Sequence, residues 1–544
     1  MIIYGIRTGF LESLLAIFTI FVIWSVLTAV RLTLWNPLKV LRFMRKRGYS
    51  GPPLSIFKLD NSHELDLCRQ RAKQAWNDRT AKSGIATLSH DLAPLLYPEF
   101  KEYQKQYGER FVYAPERGSI KIWAGNKPDV IREVWGCKTG AFGKPSSTFA
   151  DELLGRNSLG LVVNLDEWAR QRRVVRPHFY EGQLKDTVRR TKESALLWIR
   201  NLEEKVTQSG DSLPLDLSGD IASLVKEFSV RTIFGNDFES AQKGLEHEQK
   251  LKILVIQSGG VIHPLLRYIL PTRLNREILK ARKLYSVCIK QIMEGRKESV
   301  RKGNMVSYGD DMLGIILTAA ETGEGQKTGS LPKWTEQDIV DQIRALFFAS
   351  HDTVSSAFSW LLILLGHHTE WQERIRKELT ETLGEDQISE LEQLRHLNSL
   401  NMFVLETLRL YPPFPQVNRE VHEDGVTLLG DPVPKGLGIN FDMIHLHRLP
   451  ELWGDDALEF KPERWAKGMK GACVDTAAYN PFGYGPRVCA GQTQAQAQLK
   501  VLVSLFIQHF RFQLSPSYIH LPTMSFSMVP GHGVPLVIEA ITKV

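Results

Sequence analysis

The stretch Phe482-Gly483-Tyr484-Gly485-Pro486-Arg487-Val488-Cys489-Ala490-Gly491 sets one cysteine among three glycines, and a helical pattern, Ala490 to Gln508, begins directly after it. Glycine admits unusual backbone angles and lets a flat ligand come close to the chain. A cysteine at the mouth of a helix has its thiolate favoured by the helix N-terminus and by free backbone N–H groups, which also tune a metal–sulfur bond. Arg487 adds a fixed positive charge. A glycine-rich turn around a buried structural cysteine is the simpler alternative, but it leaves this particular spacing unexplained.

The loop resembles the FxxGxRxCxG haem signature of the cytochrome P450 family and matches it at each fixed position: Phe482, Gly485, Arg487, Cys489 and Gly491. The resemblance implies that Cys489 is the axial thiolate ligand of haem iron, that Phe482 and Gly491 line the cofactor, and that Arg487 pairs with a haem propionate. A thiolate ligand pushes electron density onto iron and favours O–O cleavage.

Three further segments stand in the family's order. Glu406-Thr407-Leu408-Arg409 lies 83 residues before Cys489 on a helix that Pro412-Pro413 ends. Residues at i,i+3 share a helix face and can pair. Such pairs are common surface decoration, but this one is similar to the family's ExxR motif. Phe460-Lys461-Pro462-Glu463-Arg464-Trp465 is similar to its PERF segment, with Trp for Phe. The resemblance implies that Glu406, Arg409 and Arg464 form a buried triad that holds the cysteine loop. Phe347-Phe348-Ala349-Ser350-His351-Asp352-Thr353-Val354-Ser355 falls inside the helical pattern Glu336–Leu365, which Thr335 and Asp338 cap. Read without a family, it is a helix with one solvated polar stripe. It is similar to the AGxDTT oxygen-activation motif, which implies that Asp352 and Thr353 relay protons. Ser350 stands for the usual Gly and Val354 for the second Thr.

Trp168-Ala169-Arg170-Gln171-Arg172-Arg173 is similar to the family's WxxxR helix, implying that Trp168 and Arg172 contact propionates. Arg170, Arg173 and Arg176 are expected to form a docking patch for an acidic electron donor. Arg419 occupies a place where the family often has another propionate ligand. His447-Arg448 resembles the family's HR step, so His445 and His447 need not bind metal. Phe347, Phe348, Ser350, Val354, Phe414 and Val417 are expected to flank the substrate pocket.

Working outward, 544 residues carry a net charge of +7. Ser13 to Val30 has no charge, and Arg31, Lys39, Arg42, Arg45, Lys46 and Arg47 follow with no acid among them. A helix of that length nearly crosses a hydrocarbon core of roughly 30 Å. No small-x-small cleavage pattern follows, so an uncleaved anchor with its basic collar on the cytoplasmic side is expected. The collar holds six of the seven net charges, which leaves no basic footprint for nucleic acid. With 43% hydrophobic residues the chain is too polar for a multi-span membrane protein, and its 12 Trp, 14 Tyr and 25 Phe exclude a disordered one. Five cysteines without a CxxC pair argue against disulfides or structural zinc, and no Asn-x-Ser/Thr sequon occurs.

The predicted organisation is a membrane anchor at 1–30, a basic segment with a Gly51-Pro52-Pro53 hinge at 31–53, and one haem-thiolate catalytic domain at 54–544. The fold class is mainly α with minor β, the cytochrome P450 fold behind a single transmembrane helix. Long helices are predicted at Asp186–Val206 and Leu274–Gly303, a loop at 321–333, and short Pro-punctuated runs at 411–470.

The resemblance implies a monooxygenase of the endoplasmic reticulum, single-pass with the body in the cytoplasm. It takes electrons from NADPH through cytochrome P450 reductase, with cytochrome b5 as a further donor. It inserts one oxygen atom into an apolar terpenoid, steroid, fatty acid or other secondary metabolite in a biosynthetic pathway. The tail, Phe512 to Tyr518 and Pro530 to Leu536, is similar to the clan of plant hormone and terpenoid hydroxylases. The Trp465 and Ser350-His351-Asp352-Thr353 variants resemble fungal natural-product enzymes. Two alternatives are a haem-thiolate isomerase or dehydratase, against which the Asp352-Thr353 pair argues, and a non-enzymatic haem-binding scaffold, which leaves both motifs idle.

Overall fold

The computed structural model describes residues 2–54, 61–83, 88–116, 118–124, 127–145, 150–179, 181–208, 213–258, 272–323, 333–384 and 392–541. The centre of the expected 321–333 loop, 324–332, lies outside them.

Helix α1 (Ile2–Val30) runs through a π-turn at Arg31–Trp35 into α2 (Asn36–Lys46). Leu15, Ile17, Phe18, Ile20 and Trp24 are exposed along it, and Leu15–Lys46 is long and apolar enough to cross a membrane. Helix α2 is different in kind: its Val40 and Met44 are buried with Ile120 and Ile122 of the body. Gly51-Pro52-Pro53, expected as a hinge, is tied down as well. The Val112 N–H donates to Ser50 O at 2.9 Å and Arg45 Nη2 donates to Gly51 O at 2.9 Å.

The body is built on α3 (Leu165–Val175), α4 (Glu181–Gln208), α5 (Ser218–Phe234), α6 (Phe238–Gln257), α7 (Arg273–Arg301), α8 (Glu336–His367), α9 (Asn398–Leu410) and α10 (Gln492–His509). The helical periods place α4, α7, α8 and α10 correctly, and the ends differ by a few residues because terminal turns are set by caps rather than by periodicity. Asn164 caps α3, its Oδ1 accepting the Glu167 N–H at 2.8 Å. Helix α8 opens with a capping box, in which the Thr335 N–H donates to Asp338 Oδ2 at 2.8 Å and the Asp338 N–H to Thr335 Oγ1 at 3.2 Å. It too is apolar enough to span a membrane, but it is buried almost throughout. A helix that is apolar nearly all round belongs in a core. The first half of α8 packs with α5, α6 and α7, and its second half with α4, α9 and α10.

Two larger sheets flank the helices, beside two short two-stranded ones. The first contains β1 (Phe111–Glu116), β2 (Ser119–Trp123) and β3 (Phe142–Gly143), with β5 (Gln416–Val421) and β6 (Gly438–Asp442) from the Pro-punctuated region, in the order β1-β2-β6-β5-β3. Only β2 and β6 pair in parallel within it. The second joins β4 (Leu213–Asp216), β7 (Phe510–Leu514) and β8 (Pro535–Ala540), with β8 central. The first sheet carries Arg419 on β5 and, just beyond β3, Lys144 into the same region as the cysteine loop.

Candidate active site

The loop before α10 is held at several points. Gly483 and Gly485 take left-handed angles (φ 79° and 71°), and a Cβ on Gly485 would lie 2.1 Å from Trp135 O. Only glycine fits there. The Cys489 N–H donates to Phe482 O at 2.9 Å. From α3, Arg172 Nη1 donates to the neighbouring carbonyl, Val488 O, at 2.8 Å. Cys489 sits deep within the protein, yet its side chain is exposed, so it faces an internal opening. Burial pushes its thiol up, although the Gly491 N–H and Arg172 pull it down. This reverses the direction expected from the helix N-terminus alone, because desolvation of a charge outweighs a partial dipole. A bound metal cation overcomes that cost.

Arg487 donates to Val162 O at 3.0 Å and lies 5.0 Å from the Trp168 ring centroid. Arg419 is buried, 5.1 Å from the Trp135 ring centroid. Lys144, which no sequence motif flags, joins them. Burial pushes the Arg487 guanidinium down to about 10. Burial and Arg487 bring Arg419 to about 9. Burial, Arg419 and Arg487 push Lys144 well below the ordinary lysine range. Among the described residues no carboxylate pairs with any of the three. Three desolvated cations beside one thiol call for a dianionic, metal-bearing group, and the two propionates and iron of haem fit that demand.

Glu406 and Arg409, on α9, are fully buried and paired two-pronged: Nη2 to Oε1 and Nε to Oε2, each 2.8 Å. Arg464 Nε reaches Glu406 Oε1 at 3.0 Å, the Lys461 N–H the same oxygen at 2.9 Å, and Trp465 Nε1 donates to Oε2 at 3.0 Å. Arg409 also donates to His447 O, Ala457 O and Glu459 O. Burial pushes the Glu406 carboxyl up, but Arg409, Arg464 and the Lys461 N–H hold it below the usual range. His447 is fully buried: its Nε2 accepts the Asn480 N–H at 3.0 Å and its Nδ1–H donates to Arg409 O at 2.8 Å. Both nitrogens are used, so it binds no metal, and burial lowers it to about 3. His445 lies edge-on to Trp123.

On α8 the open face is Ala349, Ser350 and Thr353, with Ala349 exposed in the middle of a largely buried helix. Ser350 Oγ donates to Phe347 O and Thr353 Oγ1 to Ala349 O, both at 2.8 Å. Asp352 turns the other way and pairs with Lys252 of α6. The structure therefore puts the acid and the alcohol on different faces of the helix. Phe347 is buried against Phe234 and His351, Phe348 against Phe526, and Val354 within the core. Phe414 is half-buried against the cluster that holds Phe347 and Phe348, and Val417 against the separate cluster under the first sheet.

A cavity of about 660 Å³ lies behind the cysteine, lined in part by Arg172, Arg176, Arg395, Cys489, Gln496 and Lys500. No α8 residue borders it, so it is a separate approach to the thiol and not the space beside Thr353. The docking expectation needs one correction here. Arg173 and Arg176 are exposed, but Arg170 is buried, paired with Glu167 at 2.6 Å and 5.3 Å from the Trp334 ring centroid. It points into the protein because α3 turns that side toward the core.

The cytochrome P450 family model matches residues 89–534. Cytochrome P450 714C2 of Oryza sativa subsp. japonica is 32% identical over 93% of this chain and 94% of its own. Cytokinin hydroxylase of Arabidopsis thaliana is 29% identical over 93% of each chain. Echinocystic acid 23-monooxygenase of Saponaria officinalis is 30% identical over 92% of this chain and 94% of its own. Among solved structures, retinoic acid bound cyanobacterial CYP120A1 superposes with a TM-score of 0.68 at 22% identity, covering 84% of this chain and 97% of that one. Likeness along nearly the whole sequence and a fold organised around the Cys489 loop lead to the same place, and the chain belongs to the cytochrome P450 family as a monooxygenase.

Proposed function

We propose that the protein oxidises a bulky, apolar small molecule of the terpenoid or hormone type at an unactivated C–H bond, in a biosynthetic pathway. Electrons come from NADPH through a flavoprotein reductase, and α1 anchors the enzyme in the endoplasmic reticulum membrane with its body in the cytoplasm. The observation that carries this reading is the accessible Ala349–Ser350–Thr353 stripe in the middle of a largely buried helix. Two of the relatives bear the names of a hydroxylase and a monooxygenase of small organic molecules.

Haem held by Cys489 supplies oxygen activation at iron. The rest is the work of the chain. Lys144, Arg419 and Arg487 are the cations that would hold the propionates, whose negative charge would offset theirs. Arg172 and the Phe482 carbonyl fix the two ends of the Val488–Cys489 peptide group, directly before the thiol. The Thr353 hydroxyl, beside the open face, holds a proton that it can turn from Ala349 O toward that space. The Glu406 triad locks the segment before the loop. The cations around the rear cavity and the exposed Arg173 and Arg176 suit an acidic electron donor.

An untargeted metabolite comparison between cells making the wild-type protein and cells making Cys489→Ser tests the proposal. The expected result is an apolar compound that gains one oxygen atom only with the wild type. Products altered in structure without gaining oxygen would overturn it in favour of isomerase or dehydratase chemistry.

A further inference from the structure

Behind the Asp352 side of α8 lies a second charged cluster that the oxygen-side motif does not include. Glu248 and Lys252 stand one turn apart on α6 and face His351 and Asp352 of α8. Glu248 and His351 are both almost fully buried, with Glu248 Oε1 3.7 Å from His351 Nε2. His351 Nδ1 lies 2.8 Å from Phe347 O. A carbonyl only accepts, so Nδ1 carries the proton and a neutral ring presents a bare lone pair to Glu248. An ionised carboxylate against a lone pair in a buried site is unfavourable, so a proton belongs on Glu248 where it faces the ring. Lys252 pairs with Asp352 Oδ1 and sits 5.6 Å from the Phe348 ring centroid. Glu248 Oε1 and Asp352 Oδ2 are both buried without a hydrogen-bond partner. Two carboxylates thus share the neighbourhood of Lys252, and Lys226 of α5 also stands near Glu248.

We propose that Glu248 is a positioning residue that governs the Lys252–Asp352 ion pair. While Glu248 carries its proton, Asp352 is the anion left for Lys252 and the pair is closed. When that proton passes to solvent, a second carboxylate stands one turn from Lys252. The ammonium is then divided between two anions, and Asp352 is loosened toward the open face beside Thr353. This inference rests on the reading of Asp352 and Thr353 as the proton-handling pair.

The charged and titratable groups around Glu248 place the change near neutral pH. They are Lys226 on α5, Lys252 on α6, Tyr285 on α7, and His351 and Asp352 on α8. Burial pushes the Glu248 carboxyl up to about 7, against Lys226 and Lys252, while Asp352 adds to the rise. Burial lowers His351 to about 4, so the ring stays neutral throughout.

The test uses the haem-loaded, full-length protein with reductase and NADPH, and reads the fraction of consumed NADPH that emerges as hydrogen peroxide across the neutral range. In the wild type this fraction is expected to fall several-fold as pH rises through Glu248 ionisation. Glu248→Gln should hold it at the low-pH value, and Lys252→Met should hold it at the high-pH value. Infrared difference spectra should show a protonated carboxyl in the wild type that titrates in the same range and is absent from Glu248→Gln. A wild type without the pH step, or a Glu248→Gln protein that keeps it with a normal carbon monoxide spectrum, would overturn the inference. Asp352→Asn separates the two claims: it should raise the peroxide fraction at every pH, and if it changes nothing the proton-pair reading itself fails.

Discussion

The indole N–H of Trp465 donates to Oε2 of Glu406 at 3.0 Å, so the Trp that replaces the family's Phe is the fifth donor on one buried carboxylate. The departure from the motif adds to the triad, because an otherwise apolar ring brings a hydrogen bond to a charge that burial has made costly to leave bare.

Trp465→Phe keeps the ring and removes that donor. A hydrogen bond to a charged group contributes about 1.5–3 kcal/mol, so chemical unfolding should show a loss of that order with little change in the slope. Glu406→Gln strands Arg409 and Arg464, and should cost more, roughly 3–5 kcal/mol. An unchanged midpoint in Trp465→Phe would mean that Arg409 alone satisfies Oε2.

Lys144→Met should act with opposite sign in the two states of the protein. Without haem it removes a desolvated charge beside Arg419 and Arg487, so the apoprotein becomes more stable. With haem it removes a propionate partner, so haem passes to apomyoglobin several-fold faster than from the wild type. Equal transfer rates would show that Lys144 does not touch the cofactor.

Acid should destabilise the fold from near pH 6.5 downward. Burial lowers His447 and His520 to about 3, and His90 also falls well below its ordinary value. Below an unfolded pKa of about 6.5 the unfolded chain binds protons that the folded chain refuses, so stability is full above that pH and is lost as pH falls toward 3. Each such histidine contributes a slope of up to about 1.4 kcal/mol per pH unit. Urea unfolding across that window should show a smaller slope for His447→Gln; an identical slope would place the proton uptake elsewhere.

Thr353→Ala removes the hydroxyl on the open face of α8. Product per NADPH is expected to fall by about an order of magnitude or more, while NADPH consumption continues. Unchanged coupling would place the proton path on other residues.

Much of this architecture is legible in the sequence because it is local. The Gly-Cys loop, the i,i+3 spacing of Glu406 and Arg409, and the Thr335–Asp338 cap each need only a few neighbouring residues, and the structure forms all three contacts. What stays hidden depends on segments far apart in the chain. Lys144 follows a two-residue strand and meets Arg419 and Arg487 only through the sheet. Lys252 finds Asp352 across 100 residues. Nothing in the basic run at Arg170–Arg176 tells which arginine turns inward; the packing of α3 decides that, and it buries Arg170. The open stripe on α8 is likewise invisible, since Ala349 has the same composition in a core as beside a pocket.

The most direct measurement is the reduced, carbon-monoxide-bound difference spectrum of the folded, haem-loaded protein beside Cys489→Ser. A thiolate-ligated band in the wild type that Cys489→Ser loses is the predicted result. A loaded wild type without that band, or a Cys489→Ser protein that keeps it, would contradict Cys489 as the ligand of haem iron.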